Sequence, residues 1–375
     1  MKRRTYLRRA GAGVAGAALL AGCTGTNDDG AGDGGAGDGG GATTGTATDT
    51  PGEPSGTLTV ATYSSFTGEG TAGAWLKSAF EAEYDDVTVE FTTPENGINQ
   101  FIQRKRQGAP IDADAYVGLN TGELVRVDEL VDGDLFVPVE DRLDRAGAVE
   151  DSLRIDPQGR AIPYDTGFIA LVYDEGEVAE PETFDALLEP EYANGLIAQN
   201  AQQSDPGRAF VLWTVNEYGP DGYLDYWADL VDNGVRILSD WEPAYNAYTN
   251  EEAPMVVSYS TDQVYYHGDG VDMSRHQVAF LGGQGYANPE AMATFADSDN
   301  QRLARAFMDF VLSDEAQAEI ATRNVQFPAV AGVDPGGDFG EYALRPPEPV
   351  TFRYDELAGN VGTWIDQWAR QIAGG

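Results

Sequence analysis

Residue types that carry out chemistry are scarce in this chain of 375 residues. It has two histidines, His267 and His276, and one cysteine, Cys23. It contains no Gly-x-Ser-x-Gly elbow, no phosphate-binding loop and no His-Glu-x-x-His metal motif. Its acidic residues are so widespread that their spacing singles out no catalytic carboxylate pair. The sequence therefore predicts no enzyme activity, no bound metal and no cofactor.

Aromatic and small polar residues gather instead where predicted strands and helices begin or end. Tyr63 follows the first predicted strand, Asn96 and Gly97 precede a helix, and Ser204 and Asp205 open another. Further members of this set are Trp241, Tyr259, Ser260, Thr261, Asp262 and Tyr265. Ligands of open α/β sheets bind outside the carboxyl ends of strands, and free N–H groups at a helix start can hold an anion or a hydroxyl. Core packing explains each aromatic residue taken alone, whereas the whole set favours a ligand site.

Alternating strands and helices must position these residues. Period-two alternation and short apolar runs predict strands at 57–63, 87–91, 113–119, 167–173, 196–199, 235–238, 255–259 and 277–281. Helical spacing predicts helices at 74–84, 98–107, 124–130, 204–218, 222–231, 242–249, 300–312, 314–322 and 359–372. The order of these elements indicates an α/β fold with open sheets.

The first residues have the pattern of an export signal. An arginine pair at 3–4 stands ahead of an apolar run at 10–20, which ends in Leu-Ala-Gly-Cys. The run is shorter than the about 20 residues of a membrane span, and the arginine pair is typical of twin-arginine (Tat) export. The place of Cys23 predicts that it carries a lipid, although a lone cysteine is also compatible with a buried hydrophobe or a free thiol. We expect a signal peptide at 1–22 and a lipid anchor on the outer face of the cell membrane.

The stretch that follows is predicted to be a disordered linker over 23–56. It is built almost wholly of Gly, Thr, Ala, Asp, Ser and Pro, and it has too little apolar surface to form a core. The rest of the chain exceeds the about 250 to 300 residues that one hydrophobic core usually supports. Two lobes are therefore expected.

The charge is strongly negative, with 62 acidic and 23 basic residues and a net charge of -39. This charge repels nucleic acid and anionic membrane surfaces, so no nucleic-acid partner is expected. A dispersed acidic surface also keeps a protein hydrated in concentrated salt, where the Debye length shrinks to about 3 Å. We interpret the charge as halophilic adaptation; a surface that binds cations or basic partners is the alternative.

Seven segments, in their order and spacing, resemble a known family. They are Leu-Thr-Val-Ala-Thr-Tyr at 58–63, Ala-Asp-Ala-Tyr-Val-Gly-Leu at 113–119, Ile-Pro-Tyr-Asp-Thr-Gly at 162–167, Val-Tyr-Asp at 172–174, Trp-Glu-Pro-Ala-Tyr at 241–245, Val-Ser-Tyr-Ser-Thr at 257–261, and 364–368 with its two tryptophans. Over most of residues 57–370 the chain resembles the thiamine-binding subunits of ABC importers, within the periplasmic binding proteins. With its export signal and acidic composition, it looks like a haloarchaeal surface lipoprotein of that kind.

The resemblance implies the fold and its division. The fold would be the two-lobed, α/β, periplasmic-binding-protein-like type II fold, with two open mixed sheets joined by a hinge. The first lobe would comprise 57–163 and 263–375, and the second lobe 164–262. The chain is expected to cross between the lobes at 163–166 and 258–262. A monomer that closes on its ligand is expected.

The resemblance also implies roles for the site residues. The aromatic walls would be Tyr63, Trp241, Tyr259 and Tyr265, which suit the cationic thiazolium and the flat aminopyrimidine of thiamine. The polar loop after the returning strand would be Ser260, Thr261, Asp262 and Gln263. Ser204 and Asp205 would lie near the hydroxyethyl or phosphate tail.

Three positions depart from the family pattern. Asn96, beside Gly97, stands where the family usually has an acidic residue, and Asp205 stands where it has a neutral polar one. Val325 replaces a tryptophan of a late loop. The departures at Asn96 and Asp205 rearrange the charge that the resemblance places around the ligand.

The sequence thus predicts an extracytoplasmic solute-binding lipoprotein that captures thiamine or its phosphate esters and delivers them to an ABC permease and its ATPase. A ferric-iron receptor of the same fold is the first alternative, because Tyr265 and Tyr266 precede His267 and phenolates favour ferric iron. An exported hydrolase and a structural or adhesive surface protein are further alternatives that no motif supports.

Overall fold

The computed structural model describes residues 53–268 and 270–374. The predicted signal peptide, the lipid site at Cys23 and all but the last residues of the predicted linker lie outside this part. No helix within the described residues has the length and apolar character needed to cross a membrane.

Strands and helices alternate over most of the described chain. The strands are β1 Gly56–Ala61, β2 Val87–Thr92, β3 Ala115–Leu119, β4 Ala161–Tyr173, β5 Leu196–Gln199, β6 Arg236–Leu238, β7 Met255–Tyr259, β8 Gln277–Ala279, β9 Gln284–Thr294, β10 Phe327–Pro328 and β11 Glu348–Val350. The helices are α1 Ala72–Glu83, α2 Ile98–Arg106, α3 Thr121–Leu130, α4 Asp205–Asp232, α5 Trp241–Thr249, α6 Asp262–Tyr265, α7 Gln301–Val311, α8 Asp314–Arg323, α9 Gly337–Tyr342, α10 Tyr354–Leu357 and α11 Val361–Gly374.

One mixed sheet runs through the described residues in the order β2-β1-β3-β9-β4-β7-β5-β6, with β10 and β8 on β4 and β11 on β9. β1 pairs in parallel with β2 and β3, and β5 pairs in parallel with β6 and β7. Between these two parallel groups, β4 is antiparallel to both β9 and β7. The parallel groups follow from the strand–helix alternation in the sequence.

The adjacent strands β4 and β9 link the two halves of the sheet. All 13 residues of β4 are buried, as expected for a strand covered on both faces. Its first part pairs with β9 from Ala161 to Ile169, and its last part pairs with β7 from Ile169 to Tyr173. The pairing with β9 shifts register between Pro163 and Asp165. The predicted crossing at 163–166 thus lies within β4.

Several elements differ from the sequence-based expectation, including the short α6, α9, α10, β10 and β11, which were not predicted. β9 was not predicted, because it is rich in alanine and contains Pro289, which argues against a central strand. The helices predicted at 204–218 and 222–231 are joined in α4, but Gly219 has non-helical angles (φ 73°, ψ 170°) just before Pro220. The predicted interruption is therefore a kink rather than a loop.

Apolar side chains pack in separate clusters around the two halves of the sheet. One large cluster includes Leu58, Phe80 and Phe307, whereas the other is built around α4 and the last helix, α11. In the second cluster, the rings of Trp227 and Trp368 meet edge-on at 5.4 Å. This contact shows that α11 packs with α4. The predicted boundaries between the two lobes stay a prediction.

Candidate functional site

Two tyrosine rings pack against glycines, one in β3 and one in β4. Tyr63 follows β1, and its ring atoms lie 2.6 Å from the position that a Cβ of Gly118 in β3 would occupy. Tyr259 ends β7, and its ring lies 2.6 Å from the corresponding position at Gly167 in β4. Any larger residue at either position would displace the ring above it. The glycines thus allow both predicted aromatic walls to lie close against the sheet.

Beside Tyr63 is a buried group of carboxylates and phenols. Tyr63 donates a hydrogen bond to Glu290 Oε2 at 2.9 Å, and Tyr164 donates to the same atom at 2.6 Å. Burial raises the pKa of Glu290 to about 7, although the two hydrogen bonds oppose the rise. Burial and the neighbouring Glu290 raise the pKa of Asp165 well above its usual range. This end of the sheet therefore holds carboxyl groups that keep a proton near neutral pH.

Asn324 ties this group together. Its Nδ2 donates to the Tyr63 hydroxyl at 3.0 Å and to Asp165 Oδ2 at 2.8 Å. The next residue, Val325, has a φ of 57° and is 3% exposed. A β-branched residue in this left-handed region costs about 1–3 kcal/mol and persists only where its surroundings hold it. The buried packing of Val325 thus fixes a strained turn beside Tyr63 and Asp165.

The third predicted wall, Trp241, begins a stack of four rings. The distances between neighbouring ring centroids are 5.0 Å from Trp241 to Tyr245, 5.9 Å from Tyr245 to Tyr266 and 4.1 Å from Tyr266 to His276. The indole Nε1 of Trp241 donates to Ser258 Oγ at 3.0 Å. Because the first ring is held by both a stack and a hydrogen bond, its orientation is set before any ligand arrives.

Asp262 holds two rings of this stack through hydrogen bonds. Its Oδ1 accepts a hydrogen bond from the Tyr245 hydroxyl, and its Oδ2 pairs with His276 Nδ1 at 2.8 Å. Asp262 is 5% exposed. With both oxygens engaged, the carboxylate is placed to position the aromatic wall rather than to touch a ligand.

The start of α4 forms a second polar region. Arg208 Nη1 donates to Asp205 Oδ1 at 2.9 Å, and the buried Ser204 Oγ has no hydrogen-bond partner among the described residues. A cavity here is lined by Asp205 and Arg208, by the start of α3 at 120–122, and by β9 at 286–289. Burial and the Asp205 carboxylate raise the pKa of Glu123 in α3 to about 8. Asp205 therefore faces the space between α3 and α4.

The other predicted residues are more scattered. Asn96 is exposed, while Gly97 caps α2 with a φ of 52° and lies next to the Tyr116 hydroxyl. Tyr265 is 56% exposed. Gln263 Nε2 donates to the carbonyl of His276 at 2.8 Å. The buried residues Ser260 and Thr261 connect β7 to α6.

Sequence reasoning did not single out Glu290, Asn324, Gln326 or Arg208. Glu290 belongs to the strand that was missed, and Asn324 and Gln326 come from the short turn between α8 and β10. The sequence offered one local signal for these residues: Asn324 is of a residue type that commonly ends a helix, and it ends α8. Among the described residues, no group of three or more His, Cys, Asp or Glu side chains is placed to hold a metal ion.

A comparison with known families and proteins agrees with this architecture. Residues 75–347 match the family described as bacterial extracellular solute-binding protein. The thiamine-binding periplasmic protein of Escherichia coli K12 is 27% identical over 321 residues, which cover 84% of this chain and 93% of that protein.

Solved structures show the same fold. A periplasmic thiamin binding protein matches with a TM-score of 0.73 and 27% identity, over 85% of this chain and 96% of that one. The ferric binding protein of Campylobacter jejuni matches with a TM-score of 0.70 over 84% and 99% of the two chains, at 15% identity, which supports the fold alone. These matches confirm the predicted α/β type II fold, but the strands of the described residues form one continuous mixed sheet and not the two sheets that were expected, because β4 and β9 pair across its middle. The chain therefore belongs to the bacterial extracellular solute-binding protein family.

Proposed function

We propose that this protein captures thiamine, or a phosphate ester of it, outside the cell and hands it to an ABC permease. The observation that carries the proposal is that Tyr63 and Tyr259 lie beside the buried carboxyl groups of Glu290 and Asp165, while the ring of Trp241 is held separately at the start of α5. Tyr63, Tyr259 and Trp241 supply the faces, and Glu290 and Asp165 supply the carboxyl groups. The names of the relatives that match along most of the chain support the same ligand.

Thiamine combines a permanent cationic ring with a flat aminopyrimidine, and the site offers a partner for each. A cation over an aromatic face gains about 0.5–2 kcal/mol, more when water is excluded. A carboxylate nearby stabilises the same charge, more strongly because the surroundings are buried. The rigid mounting of Tyr63, Tyr259 and Trp241 reduces the entropy that is lost when the ligand binds.

The start of α4 is suited to the tail of the ligand. Ser204 Oγ is buried without a partner among the described residues at the start of α4, where a helix N-terminus favours a hydroxyl or a phosphate, although Pro206 supplies no N–H. Arg208 adds a positive charge, which Asp205 offsets at 2.9 Å. This balance favours a neutral hydroxyethyl tail over a charged one.

The delivery role rests on the family and on the amino-terminal sequence. We infer that Cys23 carries a lipid after Tat export and that residues 24–56 tether the binding domain to the outer face of the membrane. The loaded domain docks on the permease, whose ATPase drives transport. The protein itself binds and releases, without catalysis.

Ferric iron is the second candidate, and one observation favours it. The hydroxyls of Tyr63 and Tyr164 lie 3.3 Å apart and share Glu290, an arrangement of phenols and a carboxylate that iron can use. The tyrosines that suggested iron in the sequence lie elsewhere: Tyr265 is exposed, and Tyr266 stacks on His276.

Calorimetric titration of the purified protein in concentrated salt separates the two candidates. Thiamine, thiamine monophosphate and ferric citrate are added in separate experiments at one pH. Saturable heat with thiamine and none with ferric citrate supports the proposal. If ferric citrate gives heat and a visible charge-transfer band while thiamine gives no response, the ligand is iron and the thiamine proposal fails.

A further inference from the structure

Gln326 carries a buried acceptor that no group in the described chain satisfies. Its side-chain Oε1 has no hydrogen-bond partner among the described residues, and the residue is 9% exposed. The atom lies 2.5 Å from the position that a Cβ of Gly167 would occupy, and the ring of Tyr259 lies 2.6 Å from that position. Gln326 Oε1 therefore sits beside the face of a proposed ligand wall.

The backbone holds this atom in place at a cost. Gln326 follows Val325, whose left-handed backbone is stabilised by burial among Phe327, Phe339 and Ala321. β10 then pairs with β4 so that Phe327 lies opposite Thr166. This pairing brings Gln326 opposite Gly167. A strained turn beside a cleft is a common way to aim a functional side chain.

A second unsatisfied acceptor lies on the same face of β4. Asp165 and Gly167 are two residues apart, so their side-chain positions point to the same side of the sheet. Asp165 Oδ2 accepts from Asn324, but Oδ1 has no partner among the described residues, and Asp165 is completely buried. A second unpartnered oxygen, on a carboxyl group with a raised pKa, therefore lies two residues along β4 from Gly167.

Buried polar atoms in native proteins nearly always have a partner, so an open acceptor beside the ring of a proposed wall residue indicates a ligand donor. The aromatic wall beside it selects a flat ring, and the acceptor selects an N–H on the edge of that ring. We propose that Gln326 Oε1 accepts a hydrogen bond from an exocyclic amino group of the bound heteroaromatic ring. Gln326 is thus a specificity residue that distinguishes an amino-substituted ring from its oxo analogue.

This inference takes its ligand from the proposed function, and the test distinguishes the two. The probes are thiamine and oxythiamine, in which an oxo group replaces the ring amino group and the neighbouring ring nitrogen carries a proton. The variants are Gln326→Met, which keeps the volume but removes the acceptor, and Gln326→Glu, which keeps an acceptor. Gln277→Met is the control, because its amide donates to the Met273 carbonyl at 2.6 Å in β8, away from the cleft.

Dissociation constants are measured by calorimetry after thermal unfolding has shown that each variant is folded. In Gln326→Met we expect thiamine to bind about tenfold more weakly and oxythiamine to change by less than about threefold. Gln326→Glu should keep the preference for thiamine, and the control should bind both as the parent does.

Four outcomes overturn the inference. An equal loss for both probes in Gln326→Met means that the side chain only shapes the cleft. A larger loss for oxythiamine means that the amide presents its N–H instead of its oxygen. If thiamine binds and Gln326→Met does not alter its affinity, the inference fails while the proposed function stands; if the parent binds neither probe, the proposed function fails and this ligand assignment with it.

Discussion

Asp165 and Glu290 lie directly opposite each other in the antiparallel pairing of β4 with β9. Like charges at such positions destabilise a sheet, so the pair holds a proton. Its polar neighbours are Tyr63, Tyr164 and Asn324. A bound cation offsets the repulsion, which couples ligand binding to the loss of that proton.

Thiamine affinity is therefore expected to rise with pH. Since the pKa of Glu290 is raised to about 7, the affinity should increase about tenfold between about pH 6 and about pH 8 at constant salt. Glu290→Gln should bind more weakly at the higher pH and lose most of this dependence. Calorimetry in buffers of different ionisation heat measures the released proton; an affinity independent of pH in the parent would contradict the coupling.

The same pair should set the pH dependence of the ligand-free protein. A carboxyl group whose folded pKa is raised contributes stability below its unfolded pKa, and that contribution is lost as the pH rises through about 7. The melting temperature without ligand should fall from about pH 6 to about pH 8, and less so in Glu290→Gln.

The packing of Tyr259 on Gly167 gives a further prediction. A Cβ at Gly167 would lie 2.6 Å from the ring and 2.5 Å from Gln326 Oε1, so Gly167→Ala must displace both. We expect thiamine affinity to fall by about tenfold or more, because a misplaced wall loses its cation contact. Gly147→Ala is the matched control, since nothing lies within 4 Å of its Cβ position and it has no positive φ. Unchanged affinity in Gly167→Ala would show that Tyr259 is not a wall.

The positions of the three proposed wall residues at the ends of strands and helices could be predicted from the sequence, and the carboxyl pair could not. Tyr63, Trp241 and Tyr259 each stand next to a strand or helix with a clear apolar pattern, so local sequence was enough to place them. Glu290 lies on β9, whose alanines and Pro289 hide a strand formed only because β3 and β4 enclose it. Tertiary pairing overrode local propensity there.

Asp205 should control the response to phosphate esters. Its carboxylate pairs with Arg208 at 2.9 Å and occupies the first turn of α4, where a phosphate would otherwise be favoured. Asp205→Asn should raise the affinity for thiamine monophosphate about tenfold relative to thiamine. Asp297→Asn removes a surface partner of Lys105 and should leave both affinities unchanged. A loss of thiamine binding with no gain for the phosphate would argue against this role.

Asp262→Asn separates a positioning role from a ligand contact. Because the carboxylate holds both Tyr245 and His276, the variant should lose about 1–3 kcal/mol of unfolding free energy. Thiamine binding should weaken only severalfold through a looser Trp241. Tyr245→Phe should give the same pattern on a smaller scale. Abolished binding at undiminished stability would instead make Asp262 a direct ligand contact, as the family resemblance implied.

Two hydrogen-bonding residues show why site prediction from one sequence stops short. Asn324 and Gln326 lie far along the chain from Tyr63 and Tyr259, and they reach the cleft only through the register of β10 with β4. No spacing rule connects a short turn near residue 325 with strand ends near residues 63 and 259.

Tryptophan fluorescence during titration with thiamine tests the central claim most directly. Trp241 begins the ring stack at the proposed site, whereas Trp75 stacks on Phe310 at 6.3 Å beside α7, away from the cleft. Saturable quenching in the parent protein and in Trp75→Phe, abolished in Trp241→Ala, is the predicted result. Absence of any saturable response in the parent, or quenching that survives in Trp241→Ala with undiminished affinity, would contradict a thiamine site at this wall.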